Sequence, residues 1–225
     1  MAGIMEMYDD CGYLEIIYGP MYSGKTTRLL DIHKKYKFCD IPIMVINYEK
    51  DNRYSDDLLS SHDKEMIPCI KALKLNSLVD FTHNSTDITS PYYSDFINAK
   101  VILINEGQFF ADIVEWVTVA VEQYHKKVYI CGLNSDYKRN KFGNWLDLER
   151  ISDNVVMLHS FCSNCKKKPA IFSHRLSNSD ELELIGSDCY IPVCRSCYNC
   201  LINASTATTN DIITNIRLEK YRIFH

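Results

Sequence analysis

Gly19-Pro-Met-Tyr-Ser-Gly24-Lys25-Thr26 sets two glycines, a lysine and a hydroxyl at the spacing G-x-x-x-x-G-K-[ST]. Glycines at those places let successive backbone N–H groups turn inward, and a helix starting at Lys25 aims its positive end at whatever they surround. That chemistry is phosphate binding. Lys25 reaches the β- and γ-phosphates of a nucleotide, and the Thr26 hydroxyl ligates Mg²⁺. The same letters without a strand before and a helix after would be an ordinary glycine turn. Here Tyr13 to Tyr18 (YLEIIY) has the β-branched and aromatic make-up of a strand, and Lys25 to Phe38 spaces Leu29, Leu30, Ile32 and Tyr36 as an amphipathic helix does. The phosphate-loop set is therefore Gly19, Pro20, Met21, Tyr22, Ser23, Gly24, Lys25, Thr26 and Thr27.

A second candidate centre follows the apolar run Val101 to Ile104, where Asn105, Glu106, Gly107, Gln108, Phe109 and Phe110 come in succession. In phosphate-loop enzymes the strand beside the loop usually ends in an Asp that holds Mg²⁺ through water. Asn105 takes that place here. Glu106 follows at the carboxyl edge of the sheet, where ligands of open α/β proteins sit, and is the candidate general base. The third centre is a cysteine quartet. Of ten cysteines, six (162, 165, 189, 194, 197, 200) fall near the C-terminal end, two as Cys162-x-x-Cys165 and two as Cys194-x-x-Cys197. In a reducing compartment this spacing is that of a structural, tetrahedral Zn²⁺ site. Cys189 and Cys200 compete for the ligand places, and the alternative is a set of free buried thiols.

The elements that must position these groups alternate. After the strand, loop and helix come Pro42 to Tyr48, Val101 to Ile104 and Lys127 to Leu133, each short and apolar enough for a strand buried on both faces, with helical spacing over Ala111 to His125. Strands alternating with helices imply the α/β class and a parallel sheet. Beyond about residue 160 the pattern changes to two short strand-like pieces, Ala170 to His174 and Glu181 to Gly186, framed by the cysteine pairs. That annex is too small for a core of its own, and a bound metal would supply the missing stability. The expected division is a 1–12 segment, a 13–160 core, a 161–200 zinc-binding domain and a 201–225 tail holding a terminal strand or helix. The polar stretch Asn76 to Pro91 reads as a surface loop, and Lys166 to Lys168 as a solvated turn.

The 225 residues are 46% apolar and 24% charged, which excludes disorder over most of the chain. Lys plus Arg number 25 against 29 Asp plus Glu, a formal charge of −4, so no global basic field points to nucleic acid. No run approaches the roughly 18 apolar residues of a membrane span, and MAGIMEMYDD lacks the basic and greasy segments of a secretion signal. A cytoplasmic location with no membrane partner is expected.

GPMYSGKTT at 19 to 27, Asp51-x-Arg53-Tyr54 after the second strand, GQFF at 107 to 110, Phe142-Gly143 and Cys194-x-x-Cys197-Tyr198 stand in one order. In that combination the chain resembles the type II, cytosolic-type thymidine kinases from about Leu14 to Tyr198. The resemblance implies a P-loop, RecA-like core with a small β-rich zinc domain, and transfer of phosphate from ATP to the 5′-hydroxyl of thymidine in a homotetramer. Carried over residue by residue, it implies that Lys25 and Thr26 hold phosphates and Mg²⁺, that Glu106 is the base and that Arg53 stands against the transferring phosphate. It also implies a base pocket of Met21, Phe109, Leu133, Tyr137 and Phe142. A lasso over Ser173 to Tyr190 would close on the nucleoside, with Leu182, Leu184, Ile185 and Gly186 at the base and Tyr190 at the sugar. Thymidine triphosphate, bridging nucleoside site and phosphate loop, is the implied feedback inhibitor. Asn105 departs from the family's usual Asp, which raises one alternative: a nucleotide-binding regulator or pseudokinase with weak turnover. A P-loop ATPase reading nucleic acid through its zinc ribbon is a third reading, opposed by the acidic charge.

Overall fold

The computed structural model describes residues 11–51, 58–60, 64–81, 90–176 and 189–206. Its strands in chain order begin with β1 (Tyr13–Tyr18), β2 (Ile43–Tyr48), β3 (Leu58–Ser60), β4 (Met66–Pro68) and β5 (Ile70–Ala72). β6 (Val101–Ile104), β7 (Lys127–Gly132) and β8 (Asn154–Met157) follow. Six of these make one sheet in the order β5-β2-β6-β7-β1-β8, every neighbouring pair parallel. β3 and β4 pair antiparallel beside it.

Parallel neighbours need crossover connections, and α1 (Lys25–Phe38), α2 (Tyr93–Asn98) and α3 (Ile113–Glu122) provide helices for both faces. Along β6 the side chains divide by parity. Ile102 and Ile104 join a core with Phe96, Phe110, Trp116 and Trp145, whereas Val101 and Leu103 join Leu29, Leu30 and Ile32 of α1. A strand buried on both faces reads as a continuous apolar run, which is why VILI and YLEIIY are recognisable without alternation. Tyr18 pairs with Gly132, Ile130 with Ile104, and Ile104 with Ile46. The segments that leave β1, β7, β6 and β2 therefore emerge along one edge.

Several expectations need correction. The stretch from Asn76 is not a surface loop at its start: Leu75–Ser77 is a 3-10 turn, Leu78 and Val79 are buried, and Phe81 packs on Phe96, Trp116 and Tyr124. Trp116 Nε1 donates to the Val79 carbonyl at 3.0 Å, so the bulk of one indole outweighs the polar composition around it. The expected helix over 111–125 is shorter, Ile113–Glu122, and β7 stops at Gly132. Asn105 ends a strand one removed from β1, because β7 lies between.

Past β8 come β9 (Ser160–Phe161), β10 (Pro169–Ala170), β11 (Phe172–Arg175), β12 (Tyr190–Val193) and α4 (Arg195–Thr206). β9 pairs with β10 and β11 with β12, both antiparallel. The single strand expected over 170–174 is broken at Ile171, whose N–H instead donates to the Val193 carbonyl at 3.1 Å. α4 covers the first residues of the expected tail; 207–225 lie outside the described residues, as do Arg53, Tyr54 and the whole of 177–188. Lys166, Lys167 and Lys168 are exposed, as a solvated turn should be. No helix among the described residues is long and apolar enough to cross a membrane.

Candidate active site and cysteine cluster

The loop between β1 and α1 takes its shape from two left-handed residues, Tyr22 (φ 61°) and Gly24 (φ 83°), the second of which caps α1. Such a turn directs backbone N–H groups toward a common centre. Lys25 Nζ donates to the Pro20 carbonyl at 2.7 Å, which folds the lysine back over its own loop. Ser23 Oγ is buried without a hydrogen-bond partner among the described residues, a polar atom that a phosphate oxygen would satisfy. The loop is also tied to the annex: the Met21 N–H donates to Ser173 Oγ of β11 at 2.9 Å.

Glu106 follows β6 and itself adopts a left-handed conformation, φ 57° and ψ 45°. A non-glycine residue there costs on the order of 1 kcal/mol. Gln108 Nε2 donates to Glu106 Oε2 at 2.7 Å, and the Leu133 N–H donates to Gln108 Oε1 at 3.0 Å. Asn105 is buried in a polar relay. Cys131 Sγ lies 3.0 Å from Asn105 Oδ1, Asn105 Nδ2 donates to Asn47 Oδ1 at 2.9 Å, and Asn47 Nδ2 donates to Asp51 Oδ2 at 3.3 Å. An ionised Asp51 only accepts, so it fixes the direction of every amide in the row.

The aromatic candidates fall into two groups. Phe109 stacks on Tyr48 at 4.6 Å and meets Phe142 edge-on at 5.3 Å; Leu133 joins this side through Gln108. Tyr137 and Tyr190 meet at Arg175 instead, whose guanidinium lies 4.0 Å from the Tyr137 ring centre and donates to the Tyr190 hydroxyl at 2.6 Å. Met21 reaches the second group through Ser173, which sits two residues before Arg175 on β11. Leu182, Leu184, Ile185 and Gly186 lie outside the described residues. Sequence reasoning gave no individual role to Gln108, Ser173 or Arg175: Gln108 was signalled only as the polar residue inside GQFF, and Ser173 and Arg175 only by falling at the start of the expected lasso.

Cys162, Cys165, Cys194 and Cys197 converge, their sulfurs all within 4.8 Å of one another and the Cys165 and Cys194 sulfurs 3.9 Å apart. Four thiolates at about 2.3 Å from one tetrahedral ion would have sulfurs spaced at nearly that distance. Burial pushes the Cys162 thiol up, but backbone N–H donors from Cys165, Cys194 and Asn164 outweigh it and hold the group at about 6. Burial pushes Cys197 up to about 12, so it needs a cation to ionise. The donor set and its spacing fit Zn²⁺, which would cross-link the turn between β9 and β10 to the junction of β12 and α4. Cys189 and Cys200 are not in the cluster.

A phosphate-binding loop on the carboxyl edge of a parallel sheet, with a conformationally fixed carboxylate on the same edge, defines a P-loop nucleotide-binding protein carrying a four-cysteine annex. The sequence profile of the family described as thymidine kinase matches residues 12–198, and the chain belongs to that family. It is 38% identical to the thymidine kinase of Yaba monkey tumor virus over 188 residues, 83% of this chain and 94% of the relative. Against thymidine kinase 1 of Dictyostelium discoideum it is 35% identical over 202 residues, 88% and 82% of the two chains. Against the thymidine kinase of vaccinia virus (strain Western Reserve) it is 37% identical over 188 residues, 83% and 97%.

Proposed function

We infer that the protein phosphorylates thymidine, moving the γ-phosphoryl group of ATP to the 5′-hydroxyl and releasing dTMP and ADP. The observation that carries this reading is the placement of Glu106 and the phosphate loop on one sheet edge, in a chain of the thymidine kinase family. Glu106 takes the 5′-hydroxyl proton as the O5′–P bond forms and the bond from the γ-phosphorus to the ADP oxygen breaks. Lys25, freed from Pro20, neutralises charge on the β- and γ-phosphates, and Arg53 does so at the transferring group. Mg²⁺, when bound, spreads the phosphate charge. Thr26 and one remaining lone pair of Asn105 are the groups that would hold it, directly or through water. Met21, Phe109, Leu133, Tyr137 and Phe142 enclose the thymine ring, and Leu182, Leu184, Ile185, Gly186 and Tyr190 close over it.

The same reading divides the chain into a 13–160 kinase core and a 161–200 zinc and lasso domain between a 1–12 segment and a 201–225 tail. It places a homotetramer in the cytoplasm and makes dTTP an inhibitor competitive with thymidine. The regulator alternative has no observation in its favour, since Asn105 is accounted for by its bonds to Asn47 and Cys131. ADP release in the presence of thymidine, deoxycytidine, single-stranded DNA or no acceptor tests the reading. Turnover is expected with thymidine; ADP release that is indifferent to the acceptor would overturn it.

A further inference from the structure

We propose that Gln108 is a positioning residue for the transfer step, its side-chain amide holding the Glu106 carboxylate at the angle from which the acceptor proton is taken. The inference rests on the assignment of Glu106 as the base and goes beyond it. Gln108 is 3% exposed, and a buried amide must spend its donors and acceptor on fixed partners. It spends them in two directions. Nε2 donates to Glu106 Oε2 at 2.7 Å, while Oε1 accepts from the Leu133 N–H at 3.0 Å. The amide thus spans from Leu133, the base-pocket residue just past β7, to the Glu106 carboxylate just past β6.

Two glycines from separate segments clear the space for it. A Cβ on Gly132 would collide with Gln108 Oε1, and one on Gly143, itself left-handed at φ 66°, would collide with the Gln108 main-chain oxygen. The backbone of Glu106 is left-handed as well, so its side-chain direction is set by a conformation that few residues adopt and then by a hydrogen bond. Positioning of this kind decides rate rather than affinity, because a misplacement of about 1 Å at a reacting group can cost about 10²-fold.

The test measures kcat and KM for thymidine in Gln108→Met, Gln108→Asn, Glu106→Gln and the two double variants, with thermal midpoints alongside. Gln108→Met keeps the length and removes both polar ends. Gln108→Asn keeps the amide but is one methylene too short to reach both partners, so it serves if the Met variant does not fold. Each should lower kcat about 10- to 100-fold with KM for thymidine changed less than about threefold. In the Glu106→Gln background the same changes should lower residual kcat less than about twofold, because the group they position is already gone. A kcat within twofold of wild type, or losses that multiply in the double variants as a general structural defect would give, overturns the inference. If Glu106→Gln itself stays within a few-fold of wild type, the base assignment has failed. If it collapses while the Gln108 variants turn over normally, only the positioning role has failed.

Discussion

The kinase core and the cysteine annex solve the same problem with different materials. The core buries two layers of apolar side chains against a six-stranded sheet, with Phe96, Trp116, Trp145 and the VILI strand at its centre. In the annex the buried apolar cluster is Cys162, Ala170, Val193, Cys194, Cys197 and Tyr198, so half of that cluster is thiol. Apolar burial alone cannot hold two-residue strands such as β9 and β10 in place. The difference teaches where each region can move: the core is fixed by packing, whereas the annex relies on its four convergent cysteines, which a bound metal would lock together. It is joined to the core by a few contacts such as Met21 to Ser173 and the Tyr198 hydroxyl to the Tyr137 carbonyl at 2.8 Å.

The largest effect expected follows from that contrast. Removing the metal with a strong chelator, or replacing Cys194 with Ala, should unfold the annex, with a loss on the order of 10 kcal/mol of apparent binding free energy behind it. Proteolysis should then cut within 160–200 while the core persists. Purified protein carrying less than about half an equivalent of zinc, or a Cys194→Ala variant of unchanged stability, would break the contrast.

A core substitution should act without regard to metal. Trp116→Ala removes an indole that packs on Phe81 and Phe96 and donates to Val79, and should cost about 3–5 kcal/mol in a urea titration. That loss should be the same with and without chelator; a loss that depends on zinc would mean the two regions unfold together.

How much of this was legible in the sequence divides along the same line. The elements β1, α1 and β6 were readable to the residue, because buried parallel strands are unbroken apolar runs and the glycine-rich turn between β1 and α1 marks where the helix starts. The cysteine quartet was readable because metal ligation fixes spacing. What escaped depends on long-range contact. Leu78 and Val79 sit in a polar stretch and are buried only because Trp116 and Phe96 come to meet that segment. Asn105 looked like a weakened metal ligand, yet its amide closes a relay from Cys131 to Asp51 that no local pattern announces. Gln108 was visible as a letter in GQFF, but its two partners are on different sides of it in space.

The Asn105 relay gives a smaller, sharper expectation within the core. In Asn105→Asp a carboxylate oxygen replaces the donor that faces Asn47 Oδ1, so either the two oxygens repel or Asn47 turns and abandons Asp51. The cost should be about 1–3 kcal/mol, offset in activity by a lower demand for Mg²⁺. Unchanged denaturation midpoints would show that the relay does not constrain the strand ends.

A further effect concerns pH. Lys126 is buried, donates to the Ile97 and Ala99 carbonyls at 2.9 and 2.7 Å, and is pushed down from 10.5 to about 8 by burial and by Lys100. Between those two values the unfolded chain binds more protons than the folded one, so this group makes stability rise as pH rises from about 8 toward 10.5. Below about 8 it adds no slope. Comparing urea midpoints of wild type and Lys126→Met across that window isolates the contribution; parallel curves would refute it.

Single-turnover formation of dTMP by wild type and Glu106→Gln, with the product's phosphate located by phosphorus NMR, decides whether the site performs the chemistry assigned to it. The account predicts one ADP for each dTMP, phosphate on the 5′ oxygen, and a rate about 10²–10⁴-fold lower in Glu106→Gln with thymidine binding kept. A wild-type protein that binds nucleotide and thymidine but forms no dTMP at any Mg²⁺ concentration, or a Glu106→Gln variant within a few-fold of wild type, would contradict it.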